Sequence, residues 1–200
     1  MVQQIKSLSS IMSSPRQTGQ WTLQHKPFEK SILLGSDATF RHEIKDLPDL
    51  LSDRVLLKPI YFFNDPAQRC WISATADPER LYLPPVNVNE VMCAGAIAEV
   101  VESRAAYLPV GALVFASTNW SEYAVLNKGD CMPIKPVPGL SVTHFTGSLD
   151  LPGLTAYYGL KEVTKVKPEE LVVVSGAAGA VGNMAVQIAK KLLGCKHIKP

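Results

Sequence analysis

The chain has 200 residues, 46% of them hydrophobic and 19% charged, with 20 Lys and Arg against 18 Asp and Glu for a net charge of +2. That balance describes a globular protein of one or two domains with enough apolar residues for a sizeable core, and without a dense basic run it argues against nucleic acid as a partner. No apolar run approaches the roughly 18 residues of a membrane span, and Cys70, Cys93, Cys131 and Cys195 are too far apart in sequence to suggest a small disulfide-stapled domain.

Residues 1–28 are expected to form a flexible tail. They hold no acidic residue, and Ser7, Ser9, Ser10, Ser13 and Ser14 cluster between Lys6 and Arg16. A cytoplasmic location is expected, with organellar targeting as the alternative that an acid-poor, serine-rich leader leaves open. From 29 to 138 the pattern is short strands. Arg54–Phe63 is apolar and β-rich but carries Pro59, which suits an edge or a bulge. Gly95–Ser103, Ala112–Ala116 and Ser121–Leu126 follow, separated by turns rich in Pro, Gly and Asn, the spacing of a small β-barrel or sandwich.

Pro133, Pro136, Pro138 and Gly139 interrupt that pattern and mark a change of architecture, so a second domain is expected over 139–200. Gly153–Leu160 has helical character. Leu171–Val174 is a continuous β-branched and apolar run, as in a strand covered on both faces of a parallel sheet. It leads into Ser175–Gly182, with glycines at 176, 179 and 182, and then into a helix whose stripe is Val181, Ala185, Ile188, Ala189 and Leu192. Gly194 stands where such a helix stops.

A strand, a turn of small residues and an amphipathic helix form a pyrophosphate cradle. Small residues let the backbone approach the phosphates, and the unpaired amides and dipole of the helix N-terminus favour their charge. Gly176, Ala177, Ala178, Gly179, Ala180, Val181 and Gly182 are the candidate cofactor contacts. Their spacing, G-x-x-G-x-x-G, departs from the usual G-x-G-x-x-G, and a βα turn without a ligand is the alternative. His25, His42, His144 and His197 are as scattered as the cysteines, so no metal site is expected.

Four stretches in order then carry a likeness to a known family: Asn64–Asp65–Pro66–Ala67–Gln68–Arg69, Asn119–Trp120–Ser121–Glu122–Tyr123, Leu151–Pro152–Gly153–Leu154–Thr155–Ala156–Tyr157, and Val172–Gly182 with its helix. Together they resemble the zinc-independent medium-chain dehydrogenase/reductase superfamily, and within it the NADPH-dependent alkenal and enone reductases. The likeness runs from about Leu56 onward. It implies an α/β fold, a GroES-like β-barrel domain followed by an incomplete Rossmann domain. It implies NADP(H) as cofactor, with NAD not excluded, and a small-molecule enone or alkenal as substrate. By the same resemblance Thr155 would sit near the nicotinamide end, and Asp65, Arg69 and Tyr157 would line the substrate pocket. Asp65 as a turn residue, Arg69 as its surface partner, Tyr157 and Tyr158 as core aromatics and Trp120 as a packing residue are the structural alternatives. The resemblance assigns no proton donor in this chain.

An acidic or basic selector for the adenosine ribose is expected about 20 residues after the glycine turn, yet no Asp or Glu follows Glu170. The sequence therefore reads like the front part of a reductase, without the second strand of its Rossmann sheet, and with a homodimer open for a completed protein. A non-catalytic binding module, and a quinone or alcohol oxidoreductase of the same superfamily, are the rival readings.

Overall fold

The computed structural model describes residues 15–199, which divide into two compact units, one ending at Ile134 and one beginning at Lys135. The division falls within the proline-rich segment, after Pro133 and slightly ahead of the 138/139 boundary expected from composition.

The first unit is mostly β. Strands β1 (Gln17–Leu23) and β2 (Phe40–Asp46) form an antiparallel pair from Gln17↔Asp46 to Leu23↔Phe40. Strands β3 (Arg54–Phe62), β4 (Ala96–Ser103), β5 (Leu113–Ala116), β6 (Ala124–Asn127) and β7 (Cys131–Pro133) form a second sheet in the order β6-β3-β4-β5-β7. Bridges Gln20↔Ser121 and Thr22↔Val91 join β1 to segments beside that sheet. Val55, Leu56 and Leu57 in β3 and Ala96, Ile97 and Ala98 in β4 are consecutive buried residues, so these central strands are covered on both faces. One core holds Val55, Leu57, Ala98, Val100, Leu108, Val114 and Cys131. The other holds Leu23, Trp71, Ile72, Val86 and Met92, and brings in the short helix α1 (Ala67–Trp71).

Pro59 behaves as its chemistry requires. The pairing of β3 with β4 shifts register between Pro59 and Tyr61, and β6 pairs β3 only from Arg54 to Leu57. A residue without an N–H is accommodated where the ladder is interrupted.

The expected tail over residues 1–28 is corrected here. Part of it is strand β1, with Thr18, Thr22 and Leu23 buried. The ladder depends on β2 (FRHEIKD), a partner more than a dozen residues away in sequence, so local composition did not show it. Residues 1–14, with the serine cluster and the targeting alternative, lie outside the described residues.

The second unit contains α2 (Leu151–Tyr158), β8 (Leu171–Val173), α3 (Ala180–Gln187) and β9 (His197–Lys199). Strands β8 and β9 pair in parallel, Leu171↔His197 to Val173↔Lys199. This corrects the expectation that the second strand is missing: a minimal β–α–β unit is present. Val172, Ala189 and Cys195 form its buried centre, with Val174, Leu193 and Ile198 packed around them. The helical stripe also differs from the 3.6-residue expectation. After α3 the chain continues as a wider π-type turn over Ile188–Leu192, with the amide of Leu193 bonded to the carbonyl of Ile188. The wider turn rotates the helix face, so Leu193 joins the core while Leu192 is 62% exposed.

Candidate functional site

The glycine turn is built as a strand-to-helix connection. Strand β8 ends at Val173, Gly176 takes φ +67°, and the amide of Gly179 donates to the carbonyl of Gly176 at 2.9 Å. Gly179 then caps α3 in an extended conformation, and its carbonyl accepts from the amide of Asn183 at 2.8 Å. The amides of Ala180, Val181 and Gly182 lie in the first turn, where a helix offers them no carbonyl four residues back. A side chain on Gly182 would run into the carbonyl oxygen of Gly176 and reach 2.8 Å from the Cα of Ala177, so the last glycine is required by the turn itself. Gly179 is different: an added Cβ would approach only the Gly176 carbonyl, at 3.3 Å. The seven candidate pyrophosphate contacts, Gly176 to Gly182, therefore occupy one connection, and α2, which carries the eighth candidate cofactor residue Thr155 and also Tyr157, packs against α3 in the same unit. Thr155 is exposed. Tyr157 is half-buried, and its hydroxyl accepts from the Lys161 ammonium one helical turn away. That hydrogen bond pushes the Lys161 pKa up. Tyr158 is exposed rather than a core residue.

The first unit carries a cleft of about 890 Å³ that opens to solvent. Its walls include Trp21, Phe40, Phe62, Phe63 and Trp120, with Ile32 and Leu33 from the β1–β2 connection. Polar groups on the lining are His42, Lys58, Asn64, Ser121, Glu122 and Tyr123. Trp120 packs on Phe40 with ring centroids 5.0 Å apart, and Trp21 tilts against His42 at 5.1 Å. Trp120 is thus a packing residue, as expected, and also part of the cleft wall. An aromatic wall with a few polar groups suits a largely apolar ligand.

Neither Asp65 nor Arg69 is part of this lining, which reaches their motif only through Asn64. The Asp65 carboxylate accepts from the amide of Ala67 at 2.8 Å, and the Asp65 amide donates to the side chain of the buried Gln68 at 3.1 Å. This is the turn role a carboxylate performs ahead of a short helix. The Arg69 guanidinium donates to the carbonyls of Phe28 at 3.2 Å and Glu29 at 2.6 Å. Burial pushes the pKa of Tyr82 up, with the Asp65 charge adding to it. The sequence reading passed over most of the aromatic wall. The adjacent Phe62 and Phe63 at the end of β3 carried a signal, but Trp21 lies in the supposed tail, and Phe40 and His42 belong to its strand partner β2, which has no apolar alternation of its own.

Comparison with known proteins now bears on these two sites. Residues 20–134 match the family described as the N-terminal domain of oxidoreductase. The chain belongs to this oxidoreductase family. It is 34% identical over 184 residues to prostaglandin reductase 1 of Mus musculus, covering 91% of this chain and 51% of that protein. It is 32% identical over 179 residues to the NADPH-dependent curcumin reductase of Escherichia coli (strain K12), covering 90% and 49%. The solved structure of CurA from Vibrio vulnificus in complex with NADPH superposes with a TM-score of 0.76 at 31% identity, over 90% of this chain and 51% of that one. The chain spans about half the length of the curated relatives it matches. These likenesses bear out the medium-chain reductase resemblance and the GroES-like domain with a partial Rossmann fold. Among the described residues no cluster of His, Cys, Asp and Glu is grouped to hold a metal, and no helix is long and apolar enough to cross a membrane.

Proposed function

We propose that the protein carrying this chain reduces an activated carbon–carbon double bond of an enone or alkenal with NADPH. The observation that carries this reading is the likeness, at 31% identity and a TM-score of 0.76, to the structure of CurA solved in complex with NADPH. Two relatives above 30% identity named as a prostaglandin reductase and an NADPH-dependent curcumin reductase support it.

The residues present fit the cofactor. The amides of Ala180, Val181 and Gly182 at the start of α3 are the groups that would hold a pyrophosphate, and the extended Gly179 keeps side-chain bulk away from them. Thr155 on α2 is assigned to the nicotinamide end, and Asp65, Arg69 and Tyr157 to the substrate region. When bound, NADPH supplies the hydride for the β-carbon of the substrate. The protein contributes orientation, exclusion of water and stabilisation of charge at the carbonyl oxygen. The aromatic cleft, with its polar groups, is the surface on which we place the apolar body of the substrate. On the same reading the protein is metal-independent and cytoplasmic, has no nucleic-acid or membrane partner, and forms a homodimer.

The test has two parts. NADPH is titrated into the chain and followed by fluorescence, with Gly179→Val as comparison; equal affinity in the two would remove the glycine turn as the site. NADPH oxidation dependent on benzylideneacetone is then measured on this chain extended to the length of its relatives. Oxidation that does not require the enone would sink the double-bond reading.

A further inference from the structure

We propose that Arg69 is a positioning residue for the apolar ligand of the cleft, acting through the connection between β1 and β2 rather than by touching the ligand. This rests on the reading of the cleft as the substrate surface. The connection is pinned at two places. At one, the Arg69 guanidinium donates to the carbonyls of Phe28 and Glu29, and the amide of Ala74 donates to the carbonyl of Pro27 at 3.1 Å. At the other, the buried Thr39 gives its amide to the carbonyl of Ile32 at 2.8 Å and takes the Ile32 amide on its hydroxyl at 2.9 Å.

The residues that matter for binding lie at the second clamp, four and five residues after Phe28: Ile32 is part of that clamp and Leu33 follows it. Ile32 and Leu33 line the cleft together with its aromatic residues, yet Leu33 is 82% exposed. An apolar side chain held in water at the rim of an aromatic cleft gains most when a ligand covers it. Leu34, 87% exposed, is not part of the lining. The connection therefore works as a wall whose Leu33 closes on an apolar molecule, and the clamp decides whether Leu33 is in place beforehand. Holding the wall in its binding conformation lowers the ordering cost at the moment of association. A single guanidinium nitrogen, Nη2, donates charge-assisted hydrogen bonds to both successive carbonyls, so a lysine ammonium that reaches the same place can make part of the clamp. The placement also explains why a residue of the Asn64–Arg69 motif bears on the cleft while its side chain is directed to backbone carbonyls outside the lining.

The experiment uses the intact chain and the neutral fluorophore N-phenylnaphthylamine, read through quenching of Trp21 and Trp120, which line the cleft. Leu33→Ser should weaken binding about ten-fold, the scale of losing one buried leucine contact, and Leu34→Ser should leave it unchanged. Arg69→Met should weaken binding several-fold and speed amide exchange across 28–33, and Arg69→Lys should recover part of both. Equal effects of Leu33→Ser and Leu34→Ser, or Arg69→Met with faster exchange and unaltered affinity, would overturn the proposal. Should Arg69→Met fail to fold, the Leu33 and Leu34 pair with Arg69→Lys decides the matter. Benzylideneacetone should displace the dye; failure to do so while the variant pattern holds would support the clamp and count against the enone reading.

Discussion

Gly182 packs so closely on the Gly176 carbonyl that an added Cβ would overlap the oxygen, whereas at Gly179 the same atom would stand 3.3 Å from it. The two glycines therefore serve different purposes, and substitution separates them. Gly182→Ala forces the turn to open and should cost about 1–3 kcal/mol, the usual scale of overpacking. Gly179 has φ −76° and ψ 168°, a conformation any residue adopts. Gly179→Ala needs the Gly176 carbonyl to give by only a few tenths of an ångström and should cost less than Gly182→Ala, about 1 kcal/mol or under, while lowering NADPH affinity. Denaturant midpoints and a cofactor titration on both variants check this; a large stability loss in Gly179→Ala would show that its role is structural.

The exit from α3 gives the second prediction. Leu193→Ala should destabilise the second unit by about 1–3 kcal/mol, and Leu192→Ala by only a few tenths, because Leu193 is packed around Val172, Ala189 and Cys195 while Leu192 faces water. Loss of protection at the Val172 and Val174 amides in one variant and not the other is the measurement. The opposite order would mean the helix keeps its regular 3.6-residue face to the end.

These residues show how far the sequence could be read. The strand–turn–helix was legible because its signals are local: a β-branched run, glycines in the turn and an apolar stripe. Leu193 was not, since the widened turn over Ile188–Leu192 leaves no mark in the hydrophobic period. Strand β9 was missed for another reason. His197–Lys199 has no apolar run of its own and is a strand only because Leu171–Val173 lies beside it. The same holds for β1 and β2, whose partnership supplied Trp21, Phe40 and His42 to the cleft. Pro59, by contrast, was read correctly, since a missing N–H is a property of the residue alone.

A pH dependence follows from Cys131, which is buried beside β5 and whose thiol is pushed up to about 11 by burial, with the Asp130 charge adding to it. The folded state favours the protonated thiol more than the unfolded chain, where a cysteine titrates near about 8.5. Its contribution is therefore fully present below that value and is lost as pH rises through about 11. Stability measured by denaturant should fall across this window by roughly 3 kcal/mol more in the parent than in Cys131→Ala, whose slope lacks the thiol. Parallel slopes in the two proteins would remove Cys131 as the cause.

The final prediction concerns Asp65, which the reductase resemblance places at the substrate and whose carboxylate accepts from the Ala67 amide. An asparagine side-chain oxygen can accept the same bond without the charge; an alanine cannot. If the residue acts through the turn, Asp65→Asn should keep stability within about 0.5 kcal/mol, and Asp65→Ala should lose about 1 kcal/mol, the scale of a lost capping contact. Gln68 depends on the same turn, since it takes the Asp65 amide and gives its own amide to the Cys93 carbonyl at 3.0 Å. Asp65→Ala should consequently speed exchange at the Asp65 and Ala67 amides as well. Binding of N-phenylnaphthylamine should follow stability in both variants. A fall in ligand affinity in Asp65→Asn at unchanged stability would instead place the negative charge itself in contact with the ligand, and the turn would then be the lesser of its two roles.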